Sequence, residues 1–435
     1  MNDKLPKTLV ISVNVWQDSG NIRTLPEIFA CYDKEKVAQI YTKAGVPETQ
    51  VCDRFFRINE NAVIKSIFKR KIKTSCEVKN SKGKLSDNEQ KELLAQQKRY
   101  SLARKKHSWF MTLCRELVWL SGKWKTPELD EFLDDFAPEV LFVPVYPFVY
   151  MSRLQLYIIK RTKVPVVAYI SDDNYTYKAC GRNPLAYIHR FWLRKGVKKI
   201  IGGCKRLFVI APKQKEEYDR LFGVDSVLLT RAVEISENAW RQEAPRLPLK
   251  MIYTGKLGIG RDKTLAEIAK AVAKINRDED LISLKIYSGD TPVGEALEAF
   301  KGKGVEFCGS VTADKIAELQ KESDITVFAE SLEKRFKNAA RLSFSTKLTD
   351  YFKSGCCIFA IGDKDIAPME YLIKEDAAIT VTDYSSIEPE LRKLCGNTEL
   401  VSEYSKKALE CGKRNHSSEK VLEEFKRVMC SVTAD

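Results

Sequence analysis

Short runs of β-branched and aliphatic residues alternate along the chain with longer stretches whose apolar positions recur at helical spacing. That is the signature of βα units building parallel sheets buried on both faces. In the first half the runs predict strands at Thr8–Val13, Val37–Tyr41, Val140–Val145, Pro165–Ile170, Arg206–Ile210 and Ser226–Leu229, with helices between them. The stretch Ser236–Leu249, SENAWRQEAPRLPL, holds two prolines and no periodic face, so it reads as a linker. The pattern then restarts, with strands at Lys250–Thr254, Leu284–Tyr287, Val305–Cys308, Ile325–Ala329, Cys357–Ile361 and Ala378–Val381. Helices are predicted around Leu265–Ile275, Ala313–Glu322, Lys347–Lys353 and Pro368–Lys374.

The fold class is therefore α/β, with two doubly wound Rossmann-like domains expected to face a cleft, since open parallel sheets bind ligands at the carboxyl ends of their strands. The boundaries fall at 1–235 for the first domain, 236–249 for the linker and 250–400 for the second domain. Residues 401–435 read as helices packing back across both. A chain of 435 residues suits such a division.

Composition narrows the class further. With 44% hydrophobic and 30% charged residues, disordered, collagenous and disulfide-scaffold chains are excluded. No run reaches the ~18–20 apolar residues of a spanning helix; the best, Val140–Met151, is broken by Pro144 and Pro147. The N-terminus MNDKLPKTLVISVNV reads as a first buried strand rather than a signal peptide, so the chain is expected in the cytoplasm. Twelve cysteines without even spacing, with Cys356 and Cys357 adjacent, fit a reduced compartment and indicate no zinc site. They are expected to be buried apolar residues.

The net charge of +14 is concentrated. Between Lys65 and Lys125 there are 17 Lys/Arg against 5 Asp/Glu, and the window carries aromatics such as Phe68, Tyr100, Trp109 and Trp124. Trp109, Leu113, Leu117 and Leu120 fall at helical spacing beside the cluster Arg104-Lys105-Lys106. The readings, in order, are a helix on an anionic membrane surface, a solvated charged face over a core helix, and a nucleic-acid site.

Four places offer candidate chemistry. After the first strand of the second half, Gly255, Gly258 and Gly260 lie in a strand-to-helix turn flanked by Lys256 and Arg261. Glycines let backbone N–H groups approach a phosphate, and two cations five residues apart suit a diphosphate. A plain glycine turn with solvated basic residues stands as the alternative. Lys263 occupies the third glycine position of the dinucleotide fingerprint, which therefore fails. In SFSTKLTDYFKSGCCIFAIG, the hydroxyls of Ser343, Ser345 and Thr346 precede a helix starting near Lys347, where they can cap it and leave N–H groups aimed at an anion. Asp350, one turn on, is placed to accept from a ribose diol; a structural helix with an exposed Asp350 is the alternative. Asp172 and Asp173 follow the strand PVVAYI and face the expected cleft as candidates to orient a sugar hydroxyl or act as a base, unless the Asp-Asp-Asn sequence is simply a turn. Near the first strand, Gly20 and Arg23 open a helix at the corresponding place in the first domain, either as a substrate loop or as a tight turn. His107, His189 and His416 pair with no candidate nucleophile, so a Ser-His-Asp or Cys-His hydrolase has no support.

Together these pieces make the chain resemble the retaining, nucleotide-sugar-dependent glycosyltransferases of the GT-B fold, specifically the family-four class. In that class an Arg and a Lys spaced by five grip the donor diphosphate, and Lys256 and Arg261 have that spacing in swapped order. A later carboxylate, then a small-residue-Gly turn and a buried strand, is matched by Asp350, Ser354-Gly355 and CIFAIG. The run VEFCGSVTADKIAELQKESDITVFAES is similar to the class's segment before the donor site, and the resemblance covers most of residues 250–385. NIRTLPEIF, VAQIYTK, FFRINENAVIK and LSFSTKLTDY resemble a bacterial subgroup of surface-polysaccharide assembly. Two departures stand out. The class has two glutamates eight positions apart, where this chain has Leu342 and Asp350, with Glu330, Glu333 or a backbone amide as substitutes for the contact to the transferred sugar. Many members place a histidine after the strand Val140–Val145, where this chain has Pro144, Val145 and Tyr146.

The resemblance implies a metal-independent transferase with a nucleoside diphosphate sugar of UDP or GDP type as co-substrate and no cofactor. The acceptor is a glycan or lipid-linked hydroxyl, and the inner face of the plasma membrane is a candidate location through residues 65–125. Lys256 and Arg261 would stabilise the leaving diphosphate with help from Lys347, Ser345, Thr346 and the glycine turn. Asp350 would hold the ribose, and Asp172 or Asp173 would position acceptor or sugar. An epimerase, a non-catalytic binding module of the same fold, and a nucleic-acid-binding protein are the competing readings.

Overall fold

The buried strands cluster into two sheets in the computed structural model, which describes residues 4–18, 24–69, 71–80, 94–95, 109–181, 183–236, 239–240 and 243–433. One α/β unit comprises the described residues up to Ile210, Lys215–Leu229 and the chain from Leu422; the other comprises Ala211–Gln214 and Thr230–Val421.

The first unit holds β1 (Thr8–Ser12), β2 (Val37–Tyr41), β3 (Arg54–Ile58), β4 (Ser75–Lys79), β5 (Val140–Pro144), β6 (Val166–Ile170), β7 (Arg206–Val209) and β8 (Val227–Leu228). They run in the order β4-β3-β2-β1-β5-β6-β7-β8, parallel except for the antiparallel pair β3 and β4. β1, β2, β5 and β6 are buried at every position, as a parallel sheet covered on both faces requires, and this is why each reads as an unbroken apolar run. β3 and β4 escape prediction from pattern for a physical reason. SCEVK is the edge strand, where charged side chains are tolerated and discourage further pairing, and RFFRI is the strand beside it, with Arg54 and Arg57 only half-buried. Arg54 of β3 bonds Glu77 of β4 at 2.9 Å and Asp135 at 2.7 Å. The last helix, Ser418–Ser431, carries Phe425 into this unit's core, 5.2 Å from Phe29, 6.1 Å from Phe142 and 5.8 Å from Phe208 between ring centroids.

The second unit holds β9 (Leu249–Thr254), β10 (Ile282–Tyr287), β11 (Val305–Gly309), β12 (Ile325–Ala329), β13 (Cys357–Ile361) and β14 (Ile379–Val381). All are parallel, in the order β11-β10-β9-β12-β13-β14, which is the doubly wound Rossmann arrangement with its reversal between β9 and β12. β9 and β12 pair only through Met251–Ile325 and Ile252–Thr326, so their carboxyl ends part and leave a crevice. The helix Arg261–Ile275 covers this sheet because Leu265, Ile268, Val272 and Ile275 share one face and are buried. Each such side chain contributes roughly 1.5–3 kcal/mol against leaving it in water. The helix stops at Asn276, whose Oδ1 accepts from the N–H groups of Leu281 at 3.0 Å and Ile282 at 3.1 Å, fastening its end to the start of β10.

Every strand and helix predicted by range from the pattern is present; the helix expected from Leu265 starts earlier, at Arg261, directly after Gly260. Short helices at Glu295–Ala299 and Lys334–Ala340 and a longer one at Ile387–Gly396 fill the unassigned gaps. Of the cysteines, Cys52, Cys180, Cys356, Cys357, Cys395 and Cys411 are buried, as expected, whereas Cys31, Cys114, Cys204, Cys308 and Cys430 are only half-buried and Cys76, on the edge strand β4, is exposed, contrary to expectation. Among the described residues no helix is long and apolar enough to cross a membrane.

Candidate functional site

The crevice of the second unit is bounded by the residues that follow β9 and β12. After β9 the chain turns through Gly255–Gly260 and enters the helix at Arg261. The turn is held from inside: Tyr253 donates its hydroxyl to the Lys256 carbonyl at 2.6 Å, and Asp290 Oδ2 accepts from the Leu257 N–H at 2.8 Å. Ile259 and Gly260 both take left-handed backbone angles, φ 64° and 74°. For a β-branched residue that is a strained geometry, of the kind that collects at functional sites. Gly260 is confined as well, since an added Cβ would stand 2.5 Å from Ser331 Oγ and 2.7 Å from Phe336 Cδ2.

The second sequence signal meets the first here. Lys347 opens the helix Thr346–Ser354, and its ammonium lies against Gly255, where a Cβ would come within 1.6 Å of Nζ. It also stands 5.1 Å from the centroid of the Tyr253 ring. Burial pushes the Lys347 pKa down to about 8, helped by repulsion from Arg261 and opposed by Glu330. A lysine so placed pays in desolvation for its charge, and an incoming anion relieves both that and the repulsion between cations. Ser345, the residue before the helix, makes no side-chain capping bond, so the expected hydroxyl cap is absent. Thr346 and Ser345 are half-buried beside Lys347.

Arg261 is held by Glu330, the residue directly after β12. Nε and Nη2 donate to the two carboxylate oxygens at 3.1 and 2.7 Å, and Glu330 is only 5% exposed. This two-pronged grip takes one edge of the guanidinium and leaves three of its five N–H groups for another anion. Lys256 is exposed at the rim, and Gly258 is exposed in the turn. The cations thus differ: Arg261 is oriented, Lys347 is half-buried with a lowered pKa, and Lys256 is solvated.

Asp350 is half-buried, and both its oxygens accept from Arg231 Nη1 at 2.9 Å, with Lys353 3.4 Å away. A carboxylate has about four acceptor sites, so these contacts do not exhaust it. Leu342, where the resemblance expects a glutamate, is fully buried.

In the first unit the two aspartates part company. Asp173, 6% exposed, accepts from the N–H groups of Tyr175 at 3.3 Å and Thr176 at 2.8 Å, and from the Thr176 hydroxyl. Its carbonyl accepts from Arg190 at 2.8 Å. Asp173 therefore builds the turn, and of the pair only Asp172 is exposed at the carboxyl end of β6. Gly20 and Arg23 lie outside the described residues. Among the described residues no group of three or more His, Cys, Asp or Glu side chains is arranged to hold a metal ion.

Sequence reasoning gave no role to Arg231, Tyr253 or Asp290 and named Glu330 only as a substitute. The topology points to Glu330, because a residue just beyond the strand next to the reversal faces the crevice.

No family model matches the chain, and a search of the curated proteins finds no match. Solved structures do resemble it. The Anabaena protein HepE, solved with UDP, aligns with a TM-score of 0.61 at 9% identity, covering 98% of this chain and 100% of that one. The same protein has also been solved with UDP-glucose. Sucrose-phosphate synthase from Thermosynechococcus elongatus gives 0.59 at 12% identity over 98% of this chain and 99% of that one. Alpha,alpha-trehalose 6-phosphate synthase from Burkholderia multivorans gives 0.57 at 11% over 99% of each. The likeness is one of fold: the chain has the two-Rossmann GT-B fold.

Proposed function

We propose that this chain is a glycosyltransferase that moves a sugar from a nucleoside diphosphate sugar to a hydroxyl of a glycan or lipid-linked acceptor, in bacterial surface-polysaccharide synthesis. The observation that carries the reading is the convergence of Lys347 on Gly255, which gathers Lys256, Arg261, Lys347 and the start of the helix Thr346–Ser354 at one sheet reversal. The donor's pyrophosphate supplies the two negative charges such a group can balance. HepE, of the same fold, is known with UDP and UDP-glucose, which favours a UDP donor over a GDP one.

In this reading the Arg261 N–H groups not taken by Glu330, together with the Lys347 ammonium and the helix start, stabilise the charge that develops on the leaving diphosphate. Glu330 fixes the guanidinium beforehand, so no reorganisation is needed in the transition state. Asp350 accepts from the ribose diol while keeping Arg231, and Asp172 positions the acceptor or the sugar. Transfer proceeds with retention and without a metal ion, the cations taking the metal's electrostatic part. Residues 65–125 bring the enzyme to an anionic membrane surface.

The test is donor hydrolysis and transfer assayed across the common nucleotide sugars. Arg261→Ala is expected to lose at least a hundredfold in kcat, about the loss seen when one preorganised donor to a developing oxyanion is removed. Full turnover of that variant with a confirmed donor would disprove the phosphate assignment.

A further inference from the structure

The helix Pro184–Gly202 of the first unit is apolar on two sides. Ala186, Leu193, Val197, Ile200 and Ile201 face the core, as a covering helix should. The opposite side carries Tyr187, Ile188, Phe191 and Trp192, each between 44% and 54% exposed. Large apolar side chains at positions i, i+1, i+4 and i+5 form one solvent-facing stripe, and a stripe of this kind marks an interaction surface.

A neighbouring helix exposes apolar side chains of its own. Trp109–Ser121 packs beside Pro184–Gly202, with the Trp109 ring 5.7 Å from that of His189. It exposes Phe110, Met111, Leu117 and Leu120 by 52–65%. Only Trp119 of that helix is buried.

The charge of the segment says what covers the surface. From Asn174 to Ile210 there are nine Lys/Arg and no Asp or Glu. Arg190 and Arg194 are engaged inward, bonding the carbonyls of Asp173 at 2.8 Å and Tyr175 at 2.7 Å. Lys195, Lys198 and Lys199 are exposed at the carboxyl end of the same helix face. Lys195 Nζ sits 4.4 Å from the Phe191 ring centroid and 4.7 Å from that of Trp192, which ties the cationic part of the face to the aromatic part. Aromatic and aliphatic side chains next to lysines, with no carboxylate in the segment, complement a bilayer interface bearing anionic headgroups. A second copy of this chain fits poorly, because an isologous contact would set like charges against each other. Nucleic acid would leave Ile188, Met111, Leu117 and Leu120 without partners, since these side chains have no ring on which a base stacks.

We propose that the solvent face of the helix Pro184–Gly202, together with that of Trp109–Ser121, docks on an anionic phospholipid bilayer. The aromatics of the first enter the interface, and Lys195, Lys198 and Lys199 lie against the headgroups. The proposal deepens the membrane part of the functional reading: of the window 65–125 it keeps only the helix Trp109–Ser121, and it makes Pro184–Gly202, not the basic cluster Arg104-Lys105-Lys106, the principal contact. It does not depend on the transferase activity.

The test uses the full chain and sedimentation with vesicles of phosphatidylcholine alone or mixed equally with phosphatidylglycerol. Wild type is expected to bind only the mixed vesicles. The double variant Phe191→Ser/Trp192→Ser and the triple variant Lys195→Glu/Lys198→Glu/Lys199→Glu should each bind at least about tenfold more weakly. Arg104→Glu/Lys105→Glu/Lys106→Glu, in the window, should keep more than half the binding. Unchanged thermal midpoints and unchanged UDP binding show that the variants are folded. No binding to mixed vesicles, or helix variants that bind as wild type while the window variant does not, overturns the proposal. A single-stranded RNA that displaces the vesicles and is itself lost with the helix variants would reassign the face to nucleic acid. UDP-sugar turnover on a soluble acceptor is a separate readout, so its failure bears on the transferase reading and not on this one.

Discussion

Replacing Lys347 by methionine separates what this side chain costs the fold from what it does for an anion. Its ammonium lies half-buried against Gly255 and Tyr253, with its pKa brought from 10.5 down to about 8, first by burial and then by Arg261. At pH 7 about nine-tenths of the molecules carry the charge, and at about pH 8.5 only about a quarter do. A phosphate oxygen beside Nζ restores the charged form, because an opposite charge within ~4–6 Å favours it. UDP binding at about pH 8.5 is therefore expected to draw about three-quarters of a proton onto Lys347, and at about pH 6.5 almost none. The assay is calorimetric titration at both pH values, each in two non-phosphate buffers of different ionisation enthalpy, on wild type and Lys347→Met. Subtracting the variant removes protons that titrate on UDP itself. Equal uptake by the two proteins at about pH 8.5 would refute the reasoning.

The ligand-free protein gives the converse result. Its folded pKa lies below the unfolded value, so the unfolded chain binds more protons between about pH 8 and 10.5. The penalty is fully present below pH 8 and is lifted as the pH rises towards 10.5. It amounts to about 3 kcal/mol at most, and about 1–2 kcal/mol after solvent screening of a half-buried group. Lys347→Met should accordingly raise the thermal midpoint at pH 7 while weakening UDP. A lower midpoint would show that the side chain's packing outweighs its charge.

Three further outcomes follow from the same geometry. Arg261→Met strands the buried Glu330 carboxylate and should cost about 3–5 kcal/mol in urea unfolding. Adding Glu330→Gln should recover most of that stability and none of the turnover, and recovery of both would make the pair purely structural. Gly260→Ala forces a Cβ at φ 74° into Ser331 and Phe336, so a loss of about 1–3 kcal/mol is expected, read by the same method. His416, 1% exposed and bonded to Thr230 Oγ1 at 3.0 Å and to the Tyr371 hydroxyl at 2.9 Å, has its pKa pushed down to about 4 by burial. The unfolded chain then binds more protons between about pH 4 and 6.5, so stability present above that window falls by about 3 kcal/mol on acidification through it. His416→Gln should flatten the slope, and an unchanged slope would place the acid sensitivity elsewhere.

What the sequence made legible is what is local. Parallel strands such as VLFVP and CIFAI announce themselves because both faces are buried, while SCEVK at the edge and RFFRI beside it, with charged residues among their positions, carry no such run. The glycine turn with Lys256 and Arg261 was visible because its parts lie within a few residues. The role of Asp173 was decidable on the same grounds, since its partners Tyr175 and Thr176 are two and three positions away. Counting charge in one window drew attention to residues 65–125, of which much lies outside the described residues. The acid-free segment 174–210 went unnoticed because acidic stretches elsewhere cancel it in the total.

The partners that distinguish the three cations were out of reach of such reading. Glu330 is 69 positions from Arg261, and Arg231 is 119 from Asp350. Only the order of the strands brings the first pair together, since β9 and β12 are neighbours across the reversal although three strands apart in sequence. The consequence is chemical. Spacing alone makes Lys256 and Arg261 an equivalent pair gripping a diphosphate, whereas in the fold Lys256 is solvated and Arg261 is held by a buried carboxylate. A solvated lysine must be ordered when the anion arrives, and its attraction is screened by water; an oriented guanidinium and a half-buried ammonium are already in place. The effective pair is therefore Arg261 and Lys347, one from each sequence signal, and loss of Lys256 should be the mildest of the three.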